Sequence, residues 1–223
     1  MMRFNDRKEA GQLLSLELAR YKDGRDVLVL ALPRGGVPVA HEIASVLHCP
    51  LDVLVVRKLG VPGHEEMAMG AIATGGIRLI NPDIVSALGI SPEAVEDVER
   101  KEEAELFRRE RSYRGNRGPL DTRNKTIILV DDGIATGATM QAAIASLRQR
   151  RVRKIIVASP VAPRSVVLSL RRVADDVVTM LNPEDFGGVG RWYEDFSQTS
   201  DEEVQQLLEA DHEVSLTTHL HEN

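Results

Sequence analysis

The stretch Ile127-Ile128-Leu129-Val130-Asp131-Asp132-Gly133-Ile134-Ala135-Thr136-Gly137-Ala138-Thr139-Met140 decides how the rest of the chain reads. Four apolar residues predict a buried strand that runs straight into two adjacent carboxylates. A loop of Gly, Ala and Thr then opens a helix-period stretch. Small residues let backbone approach a ligand closely, and N–H groups at a helix start, joined by the Thr136 and Thr139 hydroxyls, predict an anion seat. The acidic pair just ahead of it would repel a phosphate but accept hydrogen bonds from nearby hydroxyls. A sugar phosphate satisfies both halves. A Walker A loop would end in Gly-Lys-Ser/Thr, and no lysine occurs here; a dinucleotide fingerprint would put G-x-G-x-x-G after the first strand, and none occurs there. A metal site at the carboxylates and a solvated turn are the other readings.

Outward from this stretch the chain alternates. Apolar runs at 27–32, 51–56, 126–130, 154–159 and 176–181 predict buried strands of a parallel sheet. Between them Ala40, Ile43, Ala44 and Leu47 share one helical face, as do Met140, Ala143, Ile144 and Leu147, and Val166, Val167, Leu170 and Val173. The fold class is therefore α/β: an open twisted parallel sheet with helices on both faces and ligands at the carboxyl ends of the strands. Two more loops fall at such ends. Ala31-Leu32-Pro33-Arg34-Gly35-Gly36-Val37-Pro38 exposes backbone N–H groups beside a forked cation. Arg57 and Lys58 follow the second run, ahead of Leu59 to Met67, and Met69 to Ile80 reads as a hairpin around Gly75-Gly76.

Val130 to Thr139 resembles the ribose-phosphate motif of type I phosphoribosyltransferases: an apolar strand, two acidic residues and a small-residue loop ending Thr-Gly-x-Thr. The whole-chain pattern is similar to stand-alone phosphoribosyltransferase-like proteins. The resemblance implies that Asp131 and Asp132 hold the ribose 2′- and 3′-hydroxyls of 5-phosphoribosyl-1-pyrophosphate (PRPP). It implies that Ala135, Thr136, Gly137, Ala138 and Thr139 hold the 5-phosphate. Arg34, Gly35 and Gly36 become the pyrophosphate loop, which in this family often carries a non-proline cis peptide, and Arg57 and Lys58 add cations to it. Asp131, Asp132, Arg34 and Lys58 form the implied catalytic set. Residues 57–120 correspond to a mobile loop, hairpin and helical insertion. Residues 182–197 correspond to a hood over the acceptor, with Phe186 and Trp192 as its contacts and satellite core packing as their other reading.

The implied reaction transfers ribose-5-phosphate to a nucleobase-like acceptor with release of pyrophosphate. It is assisted by Mg2+ held mainly through PRPP and water, with Asp131 and Asp132 as further ligands. Hypoxanthine-guanine enzymes carry an aspartate where this chain has Ala135, whereas adenine-type and uracil-type enzymes carry alanine, so a 6-oxopurine acceptor is disfavoured. A general base must then come from elsewhere, with Glu65 and Glu66 as the candidates. A rival from another class is a PRPP- or nucleotide-sensing regulator that acts through a protein partner without turnover.

Composition narrows the field further. With 223 residues, 43% of them hydrophobic, the chain supports one domain over 1–210 followed by a polar tail over 211–223, where His212, His219 and His221 sit in expected solvated disorder. A net charge of −6 gives no footprint for nucleic acid or an anionic membrane. No apolar run approaches about 18 residues, so no membrane span is expected and the cytoplasm is the default location. The single cysteine, Cys49, precedes an apolar run and reads as a buried structural thiol. Asp6 with Glu9, and Ser200 with Glu203, have capping-box spacing. Ser91 to Arg114 predicts a long charged helix, solvated on the surface or packed on a partner subunit, which a homodimer would supply.

Overall fold

The computed structural model describes residues 3–115 and 117–220, with 212–220 described by backbone alone. In chain order the elements are α1 (Arg7–Glu17), β1 (Val27–Ala31), α2 (Gly36–Leu47), β2 (Leu51–Val53), β3 (Val56–Val61), β4 (His64–Ala73), β5 (Ile77–Ile80), α3 (Pro82–Ala87), α4 (Pro92–Arg114), β6 (Thr126–Val130), α5 (Ala138–Gln149), β7 (Lys154–Val161), α6 (Arg164–Leu170), β8 (Asp176–Leu181) and α7 (Asp201–Leu220). Five strands form one parallel sheet in the order β2-β1-β6-β7-β8, as the alternation predicts. Both faces are covered, which explains why β1 and β6 are buried at every position. Val29, Ile128 and Val130 meet Leu14, Ile43 and Leu47 of α1 and α2 on one side. Leu30, Ile127 and Leu129 meet Met140, Ile144 and Leu147 of α5 on the other. Each such aliphatic side chain contributes about 1.5–3 kcal/mol by leaving water.

Both predicted caps are present: Asp6 Oδ1 accepts from Glu9 N at 2.8 Å, and Ser200 Oγ accepts from Glu203 N at 3.1 Å. Glu9 reaches back one residue further than a capping box requires, to Asn5 N.

Four regions differ from the sequence reading. The run 51–56 breaks at Leu54, where the chain leaves the main sheet and starts β3. Arg57 and Lys58 therefore lie inside a strand of a second, antiparallel sheet, β3-β4-β5, rather than at the start of a loop. The expected hairpin around Gly75-Gly76 is its β4-β5 half. The charged helix α4 is anchored rather than simply solvated: Val95, Leu106, Tyr113 and Arg114 are buried, and the Arg114 guanidinium donates to both oxygens of Asp52 on β2 at 3.0 Å. Helix α7 runs through the expected start of the polar tail to Leu220, and the Asp211 carboxylate accepts from Leu51 N at 2.9 Å. The side chains of His212 and His219, and all of His221, lie outside the described residues.

Candidate active site

The register of the central strands builds the site. Ala31 of β1 pairs with Val130 of β6, so both chains leave the sheet at the same edge, and Leu32 N donates to Val130 O at 2.9 Å. The next residues of each chain, Pro33 to Gly36 and Asp131 to Gly133, therefore lie against one another. The contact is tight. A Cβ on Gly35 would fall 2.0 Å from Asp132 Oδ2, and one on Gly36 would fall 2.8 Å from Val130 O and 3.0 Å from the Asp131 Cα. Glycine is needed here for space, not for its backbone freedom. The Pro33–Arg34 peptide bond is cis, a feature the sequence alone left open.

Asp131 Oδ1 accepts from Asp132 N at 2.9 Å. Loss of water around its carboxyl, and then the neighbouring Asp132 charge, push the Asp131 pKa well above the ordinary carboxylate value. Asp132 is buried at 8% exposure, and its Oδ2 accepts from Arg7 Nε at 2.8 Å and is ion-paired with Arg7 Nη2 at 2.8 Å. Downstream, Gly137 adopts φ +79°, the left-handed region that suits glycine, and α5 starts at Ala138. Ala135, Thr136, Ala138 and Thr139 are exposed around it. Thr136 Oγ1 accepts from Ala138 N at 3.4 Å, and no side chain caps α5, so the helix start can present N–H groups to an anion.

The segment 182–197 covers this edge. Val189 packs where a Cβ on Gly133 would sit, 2.3 Å from its Cγ1, and Tyr193 Oη donates to Asp132 O at 2.6 Å. Trp192 is 4% exposed and donates Nε1–H to Phe186 O at 3.0 Å. It packs with Phe4, Ala10, Val161 and Tyr193, with Phe186 alongside. The satellite core reading of these aromatics thus describes the Trp192 ring, because a buried ring has no face to offer a base.

The cations are dispersed. Arg34 Nη1 lies 3.5 Å from Asp201 Oδ1 at the start of α7, and the same oxygen accepts from Tyr113 Oη at 2.7 Å. Burial and the Asp201 charge push the Tyr113 pKa up to about 12. Arg57 donates Nε–H to Glu102 of α4 at 2.7 Å, and Lys58 Nζ donates to Glu66 O at 3.1 Å. Arg57, Lys58, Glu65, Glu66, Lys101 and Glu102 line a cleft of about 340 Å³ between the β3-β4 hairpin and α4. Its lining includes neither the acidic pair nor the glycine loop. The structure thus brings Arg34, Gly35, Gly36, Asp131, Asp132 and the 182–197 segment together, with Ala135 to Thr139 following directly on, and sets Arg57 and Lys58 in a cleft of their own. Arg7 and Tyr193 were missed from the sequence. Nothing local to either marks it as a neighbour of Asp132.

Known proteins agree with this geometry. A family model described as "Phosphoribosyl transferase domain" matches residues 7–193. A Mycobacterium tuberculosis protein named provisionally as a phosphoribosyl transferase is 45% identical over 212 residues, covering 95% of this chain and 48% of its own length, and its counterpart in a second strain matches equally. The chain thus spans about half the length of the curated relatives it matches. The crystal structure of the protein TT1426 from Thermus thermophilus superposes with a TM-score of 0.83 at 40% identity, over 93% of this chain and 98% of that one. The parallel sheet, the shared strand edge and a family match spanning both loops lead to one conclusion: the chain belongs to the phosphoribosyl transferase domain family.

Proposed function

We propose that the chain transfers ribose-5-phosphate from PRPP to a ring nitrogen of a nucleobase-like acceptor. The bond from C1 to a pyrophosphate oxygen breaks, and a bond from C1 to the acceptor nitrogen forms. The observation that carries this reading is the β1–β6 register, which sets a glycine loop against an acidic pair with a free helix start immediately downstream. In this reading Asp131 and Asp132 orient the ribose hydroxyls and residues 135–139 hold the 5-phosphate. Arg34, Gly35 and Gly36, with Arg57 and Lys58 across the hairpin, meet the pyrophosphate. Holding the sugar while C1 gains positive character is a matter of positioning and of stabilising the leaving group's charge.

The donor set fits magnesium held mainly by PRPP and water. Two adjacent carboxylates offer hard oxygen ligands, and among the described residues no group of three or more His, Cys, Asp or Glu forms a cage. Bound there, the ion would supply charge neutralisation at the departing pyrophosphate. Exposed Ala135 brings no carboxylate to the acceptor, which supports an acceptor other than a 6-oxopurine. Glu65 and Glu66, exposed on the hairpin, are the candidate bases, and the half-buried Phe186 ring or a backbone carbonyl of the 182–197 segment is the candidate acceptor contact. We assign the activity to the cytoplasm, in a monomer or homodimer. Among the described residues no helix is long and apolar enough to cross a membrane.

A sensor that binds PRPP without turnover is the second reading. The pairing of Arg57 with Glu102 and of Lys58 with Glu66 favours it, because both cations are engaged inside the chain. The test is pyrophosphate release from PRPP and magnesium across a panel of purine and pyrimidine bases, with a no-acceptor control. Release that depends on one base supports the transferase and names its acceptor. Silence across the panel with tight PRPP binding supports the sensor.

A further inference from the structure

Arg7 sits in the first turn of α1, yet its guanidinium ends beside a carboxylate 125 residues away. It is almost fully enclosed: 11% of its side chain is exposed, as is 12% of the Asp132 side chain. Three kinds of contact fix it: Nε donates to Asp132 Oδ2 with Nη2 ion-paired to the same oxygen at 2.8 Å, Nη1 donates to Ser197 O at 2.7 Å, and the guanidinium carbon lies 4.1 Å from the Phe196 ring centroid and 5.9 Å from that of Tyr193. Planar, forked and always charged, arginine suits this geometry, whereas lysine would bring one point charge and no stacking plane.

The two carboxylate oxygens of Asp132 are consequently unequal. Oδ2 is held from one side by Arg7 and confined on the other by Gly35. Among the described residues no N–H group donates to Oδ1. A guanidinium on one oxygen fixes the carboxyl plane and leaves the other oxygen to accept from a hydroxyl. The residues that hold Arg7 belong to the segment that covers the site, and Tyr193 fixes the Asp132 carbonyl as well.

We propose that Arg7 is a positioning residue for the sugar: clamped by Phe196 and Ser197, it orients Asp132 so that Oδ1 faces the ribose hydroxyls, tying sugar recognition to the 193–197 segment. This rests on the reading of Asp131 and Asp132 as the ribose site.

The test compares ribose-5-phosphate, which would reach both the 135–139 loop and the carboxylates, with inorganic phosphate, which would reach the loop alone. Affinities are measured for the wild type, Arg7→Ala, Arg7→Lys and Phe196→Leu, each first checked for cooperative unfolding. The wild type prefers the sugar phosphate. Arg7→Ala loses that preference by about tenfold, the scale of one hydrogen bond to a charged group, while its affinity for phosphate changes less than about twofold. Arg7→Lys and Phe196→Leu, the variants most certain to fold, fall between. Equal loss for both ligands in these two variants would make Arg7 a general structural support and overturn the inference, as would an unchanged preference. A wild type that binds phosphate but shows no preference for the sugar would instead remove the ribose site itself, and the inference with it.

Discussion

The two charged regions of this molecule are built in opposite ways. The acidic pair lies where two central strands of a fully covered sheet end in register, enclosed by a glycine loop, a helix arginine and an aromatic segment. Arg57 and Lys58 lie on the second, three-stranded antiparallel sheet, which gives Leu59 and Met69 to the core, and glutamates neutralise them in a cleft. The first arrangement is fixed by core packing before any ligand arrives, which saves the cost of ordering it on binding. The second can be rearranged by exchanging partners, most readily at Lys58, whose partner Glu66 is fully exposed. The sugar end of the proposed substrate therefore meets a preformed seat, and the pyrophosphate end meets cations that must change partners.

The sharpest way to break this contrast is Gly35→Ala. A methyl group 2.0 Å from Asp132 Oδ2 must displace that carboxyl, and Arg7 on its far side leaves it nowhere to go. The expected outcome is at least a tenfold (~1.4 kcal/mol) loss of PRPP affinity by calorimetry, with the main sheet intact by circular dichroism. Unchanged affinity would mean that the seat is not preformed.

Effects at the cation cleft should be smaller and should depend on salt. Lys58→Ala is expected to weaken pyrophosphate binding about threefold at low ionic strength and less at high salt, because its charge is partly exposed. Glu102→Gln should do the reverse, strengthening pyrophosphate binding about twofold by releasing Arg57. If neither substitution changes pyrophosphate affinity at any salt concentration, the cleft has no part in holding it.

The smallest effect is on stability. Asp131 keeps its proton to higher pH in the folded chain than in the unfolded one. Its stabilising contribution is therefore complete below the ordinary carboxyl pKa near 3.8 and is lost as pH rises through the raised folded value. Asp131→Asn cannot ionise, so its urea midpoint should fall less than that of the wild type between about pH 4 and neutrality. Parallel pH profiles would contradict the burial assigned to this carboxyl.

What the sequence revealed, and what it hid, follows the range of the interactions. The strand, acidic pair and helix start at 127–140 were legible because each is specified by neighbours in sequence, and the caps at Asp6 and Ser200 by residues three positions away. The switch of sheets at Leu54 was not, because 51–56 is uniformly apolar and hydrophobicity does not say which sheet a strand joins. The anchoring of α4 was hidden for a similar reason. Arg114 reads as one more surface charge until Asp52, 62 residues earlier, is placed beside it. Arg7 and Tyr193 fall in the same class, since only the assembled fold brings an N-terminal helix and a C-terminal segment to one carboxyl. Trp192 posed a different problem: an aromatic near a site reads equally as ligand contact or core, and only its burial decides.

The most direct test of the central claim is titration of PRPP, with magnesium, into the wild type and Asp132→Asn, each shown to unfold cooperatively. If the acidic pair holds the ribose, the substitution weakens PRPP binding at least tenfold, the scale expected when a carboxylate acceptor becomes a neutral amide, while inorganic phosphate still binds. Equal PRPP affinity in the two well-folded proteins would contradict the account.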